Sequence, residues 1–398
     1  MKKLVFSLLI AVTSQAYATE GTFTVHEWGT FTSVQGSNGQ VLGGMSHEEE
    51  ALPSFVAGRD LLTEQKFCRI SKAMPVCDDE VQGPVVHSAD VTQKMETPVL
   101  YFHSDRERQV KVQVGFPNGI ISQYYPQPTY FTPQIGRAFS LGYGSATFNV
   151  NVLMAPVAIP AVPQSSVYAP ARNVAANYIT TGKENEKFIF YRGLGNFQTQ
   201  LAVTSFSGLL SINNQSVNYV PAVFLIDVGA DGSGAVKAIG SLVSHSSVQV
   251  LADELQKFRA GRKPQAQFLA DAATQLNAAL QKSGMNRDEA EAMTNTWKNS
   301  YFRNPGLRVL YVLSRAETDA LLPLTIDPQP QGLERALVGR IEVILESEET
   351  AMLADLQNDK LQIANLGRFA EPKLRRLLQL TNDPALSDKI RALIATVK

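Results

Sequence analysis

The segment Thr22-Phe23-Thr24-Val25-His26-Glu27-Trp28-Gly29-Thr30-Phe31-Thr32-Ser33 decides how the chain is read. Its side chains alternate with period two, the pattern of a β-strand. Phe23, Val25, Glu27 and Phe31 share one face, and Thr24, His26, Trp28, Thr30 and Thr32 share the other. A carboxylate on an apolar face is costly unless paired, so Glu27 requires an arginine, a lysine, backbone donors or a metal. The same alternation separates His26 from Glu27. The pair does not extend to H-E-x-x-H, because Thr30 holds the last position, and His47-Glu48 fails likewise at Ala51.

Upstream, Lys2 and Lys3, an apolar run over 4–12 and Ala16-Tyr17-Ala18 have the form of a secretory signal peptide covering 1–18. The expectation is an exported protein, periplasmic or extracellular, with no transmembrane segment in the mature chain. Export places Cys68 and Cys77, with eight residues between them, in an oxidising compartment, so a disulfide stapling a loop is expected rather than a zinc knuckle or redox pair.

Downstream, period-two runs recur at 98–103, 110–114, 188–191, 201–206, 222–228 and 235–239, punctuated by Gly, Pro and Asn. Many strands without intervening helices point to a mainly β fold with an antiparallel sandwich-type core over 19–246. Gly229-Ala230-Asp231-Gly232-Ser233-Gly234 reads as a hairpin turn, having too few acidic ligands for a calcium loop. At 247–303 the period becomes helical, with Phe268, Ala272, Leu276, Ala279 and Leu280 on one face, and Asn286 with Glu289 forms a capping-box start. Strands return over 304–346, so the helices form an insertion. The stretch 347–398 is helical, broken at Gly367 and Pro384, and its leucine faces suit a helical hairpin subdomain.

Loss of the leader removes two lysines and leaves a mature net charge of about −3. No basic stripe marks a nucleic-acid partner. Lys373, Arg375 and Arg376 read as a solvated helix face, and Glu346, Glu348 and Glu349 as a favourable helix start.

Several longer motifs accompany HEWGTFT at 26–32. They are KMETPVLYF at 94–102, EKFIFYRGLGNF at 186–197, the region around Trp297, LLPLTI at 321–326, VGRIE at 338–342 and LGRFAEP at 366–372. In order and spacing these resemble an uncharacterised family of secreted bacterial proteins. The resemblance spans nearly the whole mature chain and implies one integrated architecture; it brings no activity, cofactor or catalytic residue. The chain departs from that pattern at His103, where the family has Tyr.

The chemistry is therefore argued from residues. Partners for Glu27 are sought among Lys94, Arg192 and Arg340, with Glu96 and Glu342 completing a buried ionic network. The first expectation is that no cofactor is bound; the alternative is a divalent metal, held by His26 with Glu27, Glu96, His47, His87 or His103. Glu27 with Glu96 is the alternative, a glycosidase-like carboxylate pair. Tyr124, Tyr125, Tyr130 and Phe131, on a Pro-rich connection, are candidates for a stacking platform for an envelope glycan or protein. Binding of an envelope or extracellular component is thus the first functional expectation, and a metal- or carboxylate-dependent hydrolase centred on His26, Glu27 and Glu96 the second.

Overall fold

The computed structural model describes residues 21–46, 51–58, 67–71, 74–78, 88–133, 141–298 and 301–397. The leader, His47 and His87 lie outside them. The strands are β1 (Phe23–Gln35), β2 (Ala57–Gly58), β3 (Phe67–Ser71), β4 (Met74–Asp78), β5 (Gln93–Ser104), β6 (Arg108–Phe116), β7 (Gly119–Tyr125), β8 (Tyr130–Thr132), β9 (Gly144–Leu153), β10 (Tyr178–Thr180), β11 (Asn185–Glu186), β12 (Ile189–Gly195), β13 (Leu201–Phe206), β14 (Leu209–Asn214), β15 (Val220–Val228), β16 (Gly234–Leu242), β17 (Ser247–Val250), β18 (Gly306–Val312), β19 (Leu324–Asp327) and β20 (Gly332–Val343). The helices are α1 (Ala252–Ala260), α2 (Gln265–Lys282), α3 (Arg287–Lys298), α4 (Arg315–Leu321), α5 (Glu346–Gln357), α6 (Ile363–Leu366), α7 (Ala370–Leu380) and α8 (Pro384–Ile394).

The fold is mainly β with helical additions. A nine-stranded sheet in the order β16-β15-β18-β20-β1-β5-β12-β7-β2 forms its middle, and β1 is its central strand. Its ladders are antiparallel, as expected, with one exception: β1 pairs antiparallel with β5 but parallel with β20, from Thr24 opposite Gly332 to Gln35 opposite Val343. The hydrophobic pattern explains why. A strand buried on both faces is the kind that parallel pairing accepts, and β1 is buried from Glu27 to Gln35 without interruption.

One face of the central sheet packs on a six-stranded sheet, β11-β10-β9-β6-β19 with β8 also paired to β9, and on the three-stranded sheet β13-β14-β17. Phe23, Val25, Phe31, Leu100, Val112, Phe148, Ile189, Leu210 and Ile341 belong to this core. Strand β6 carries the alternation read from sequence, with Val110, Val112 and Val114 buried and Lys111 and Gln113 exposed. The opposite face is covered by α2 and α3, which bury Phe268, Leu276, Met293 and Trp297 against Trp28, Val99, Tyr101, Phe190 and Leu310. Fully burying a side chain of this size contributes about 1.5–3 kcal/mol, so neither layer is a minor attachment.

Helices α7 and α8 pack on each other through Leu374, Leu377 and Ile390. The cations of α7 are not a solvated face. Arg376 is buried on Glu349, with Nε 2.7 Å from Oε1, and Glu349 also accepts from the Ser37 backbone N–H at 2.7 Å. Arg375 pairs with Glu371 at 2.6 Å, and Lys373 donates to the Leu366 carbonyl at 2.9 Å. These contacts tie the C-terminal helices to the end of β1. In the β3–β4 ladder Cys68 stands directly opposite Cys77; their side chains lie outside the described residues.

Candidate functional site

The register between β1 and β5 determines which groups meet. Trp28 faces Val99, but Thr30 faces Glu96, so β5 carries one extra residue opposite Gly29. This is a β-bulge at Thr97 and Pro98, a position that tolerates a residue without a backbone N–H. Gly29 eases the close approach there, since a Cβ would lie 3.0 Å from Pro98 Cα and 3.1 Å from Leu337. The bulge changes the face on which β5 side chains emerge. Strict alternation would put Glu96 opposite Phe31, on the same face as Glu27; the extra residue moves Glu96 and Lys94 to the helix-covered face, in line with Thr30 and Thr32.

Glu27 therefore stays on the sheet-packed face, away from Glu96. Arg335, its neighbour in β20, meets it with Nη2 2.5 Å and Nε 2.6 Å from Oε2. The Tyr191 hydroxyl donates to Oε1. Burial, and then the Glu27 carboxylate, push the Tyr191 phenol well above its ordinary pKa, so it remains a donor. Arg335 reaches solvent only through Asp319, 2.7 Å from Nη1. The proposed partners Lys94, Arg192 and Arg340 play no part here: parallel pairing places Arg335 directly opposite Glu27.

On the other face, His26 and His103 converge. Thr24 stands opposite His103 and His26 opposite Tyr101, a diagonal that brings the two ring centroids to 4.7 Å. A third group comes from the helical layer. Glu289, in the first turn of α3, accepts from the backbone N–H of Asn286 at 2.8 Å, as its capping role requires. The same carboxylate lies 3.0 Å from His26 Nδ1 through each oxygen and 3.2 Å from His103 Nε2. All three donor atoms fit within 4.8 Å of one another.

Glu289 is fully buried, while His26 and His103 keep 12 % and 23 % of their side-chain surface exposed. Burial works to raise the Glu289 pKa, but hydrogen bonds from His103 and His26 and the backbone donor of Asn286 overcome it and hold the carboxyl at about 2. The group is thus an ionised carboxylate at a helix N-terminus, beside two imidazoles at a rim open to solvent. Metal bonds of about 2.0–2.2 Å separate neighbouring ligand atoms by about 2.8–3.6 Å, and the contacts of Glu289 with the two imidazoles, at 3.0 and 3.2 Å, fall in that range. Glu334, exposed and opposite His26 in β20, borders the same rim. Gly284, with φ +98°, leaves space for that carboxylate beside α3.

Glu96 joins a separate cluster. It accepts from Thr32 and Tyr301 hydroxyls, each at 2.5 Å, and from Arg368 at 2.8 Å. Arg340 pairs with Glu342 at 2.7 Å, and Arg308 reaches the same Glu342 oxygen at 3.1 Å. Arg192 shares this face, its guanidinium 5.9 Å from the Phe190 ring. His26, Glu27 and Glu96 thus do not form one site. Glu27 and Glu96 face different layers, which removes them as a glycosidase-like pair.

The aromatic platform is not intact. Tyr124 and Tyr125 are buried against Phe131 and Phe55, and only Tyr130, 54 % exposed, faces solvent fully. The turn at Gly229–Gly234 is a hairpin connection: Gly232 has φ +80°, and Asp231 accepts from Ser233 N–H and Oγ within its own loop.

Reading the sequence alone identified His26 and His103 but not Glu289, whose spacing from Asn286 signals a helix cap and nothing more. Arg335 carried no signal beyond its place between Leu333 and Leu337 in an apolar alternation. No protein-family model matches the chain. The search of curated proteins likewise returns no match. Among the described residues, no helix is long and apolar enough to cross a membrane.

Proposed function

We propose that this is an exported metalloprotein in which His26, His103 and Glu289 hold one divalent first-row metal ion for hydrolytic chemistry. The observation that carries the reading is the convergence of two imidazoles and one ionised carboxylate, from two strands and a helix, within 4.8 Å at a solvent-facing rim. Two histidines and a carboxylate are a donor set for zinc, iron or manganese that leaves coordination positions open. A water on such an ion is acidified towards neutrality, supplying a nucleophile without a side-chain nucleophile. Glu334 at the rim is the carboxylate placed to take its proton.

Metal analysis of the mature protein, purified under metal-replete conditions, tests this directly. One equivalent in the wild type, with loss in His26→Ala and in Glu289→Gln, is the expected result; a metal-free wild type overturns it. Export and the Cys68–Cys77 disulfide belong to the same reading. An N-terminus at Thr19 and the absence of free thiols in the unfolded, unreduced protein are the expected outcomes.

A further inference from the structure

We propose a second site, for a small oxyanion, at the opposite end of the helix-covered face, built on Arg340 and Arg308. Both side chains are fully buried. Together they share a single carboxylate oxygen of Glu342. Three of their terminal nitrogens, Arg340 Nη1 and Nη2 and Arg308 Nη1, are buried with no hydrogen-bond partner. A buried guanidinium that leaves a whole edge unmet is unusual, since buried charge is normally paired and hydrogen-bonded.

The geometry of Arg340 points to what that edge receives. Its guanidinium lies 4.0 Å from the Tyr301 ring centroid and 5.6 Å from that of Phe369, so its flat faces are covered by aromatic rings. Its Nε side is committed to Glu342. What remains is the Nη1–Nη2 edge, whose parallel N–H groups match two oxygens of one phosphate, sulfate or carboxylate. Glu96 does not fill this role: its hydrogen bonds come from Thr32, Tyr301 and Arg368, and neither Nη of Arg340 bonds to it. Arg368, with 13 % of its side-chain surface exposed, marks where the cluster reaches solvent.

This site is independent of the metal centre. The positions marking the two sites on β1, His26 and Thr32, are six residues apart, a span of about 20 Å at strand rise. Oxyanion binding therefore stands or fails without reference to metal content.

Calorimetric titration of the full mature protein with inorganic phosphate, sulfate and acetate, against chloride at equal ionic strength, is the test. Saturable binding of at least one oxyanion and none of chloride is expected, and preference between phosphate and acetate distinguishes a tetrahedral from a planar ligand. Arg340→Lys keeps the charge but removes the paired edge, and is expected to weaken binding at least about tenfold. Arg308→Lys serves as a second variant, with circular dichroism confirming its fold. Absence of saturation in the wild type up to millimolar anion overturns the proposal, as does unchanged affinity in both folded variants. If neither variant folds, the wild-type titration decides alone.

Discussion

Two buried carboxylates meet the β1–β5 region from opposite sides, and they are neutralised differently. Glu27 is sealed between sheets, where Arg335 supplies a fixed charge and Tyr191 a hydroxyl that burial keeps protonated. Glu289 comes from the helical layer and meets two histidines that retain contact with solvent. An arginine partner in a closed core neither exchanges protons nor releases its carboxylate, so that pair orders the sheet. Imidazoles at a rim can do both, and can turn their lone pairs to a metal instead. The difference between architecture and a candidate site here lies in the partner and its access to water, since both carboxylates are equally buried.

The strongest way to break this comparison is to remove Glu27. Glu27→Ala leaves the buried Arg335 with only the half-exposed Asp319 to balance its charge, and is expected to cost about 3–5 kcal/mol in urea unfolding while leaving the metal content of folded protein unchanged. A cost below about 1 kcal/mol would show that Arg335 finds another partner and that the pair is not structural.

Acid titration separates the two carboxylates next. In the metal-free protein Glu289 is held at about 2 against an ordinary 4.5. Because the folded value is depressed, its stabilisation is complete above about pH 4.5 and is lost as pH falls towards 2. The full contribution is on the order of 3 kcal/mol. The difference in unfolding free energy between wild type and Glu289→Gln is expected to shrink across that window; a difference independent of pH contradicts the assignment.

Gly29→Ala tests the bulge that keeps Glu96 away from Glu27. Its Cβ meets Pro98 backbone at 3.0 Å, and a loss of about 1–3 kcal/mol in thermal unfolding is expected. The smallest effect belongs to Tyr130→Ser on the exposed edge, within about 0.5 kcal/mol and without change in metal content.

How far the sequence could be read depended on the range of the interaction concerned. The strand at Phe23–Gln35, the helix face of Phe268, Ala272 and Leu276 and the hairpin at Gly229–Gly234 depend on neighbours a few residues away, and each was legible as a pattern. The partner of Glu27 was not, because Arg335 comes from a strand 308 residues later, paired in parallel. The pairing of Glu96 with Glu27 fails because one extra residue at Thr97 and Pro98 inverts the alternation, and a bulge leaves no mark in a period-two count beyond a proline. Lys373, Arg375 and Arg376 looked solvated because each needs a carboxylate or carbonyl elsewhere on the C-terminal helices to be covered.

By itself, then, the sequence determined the secondary elements, the mainly β class with its helical additions, and the demand that Glu27 be neutralised. Periodicity and the cost of burying charge are local properties, written in adjacent residues. Tertiary structure alone decided that Arg335 answers that demand, that Glu96 and Arg340 lie on the helical side, and that a helix-capping glutamate joins His26 and His103. Those outcomes depend on register and on which layer covers which face, and both are settled only when distant segments pack.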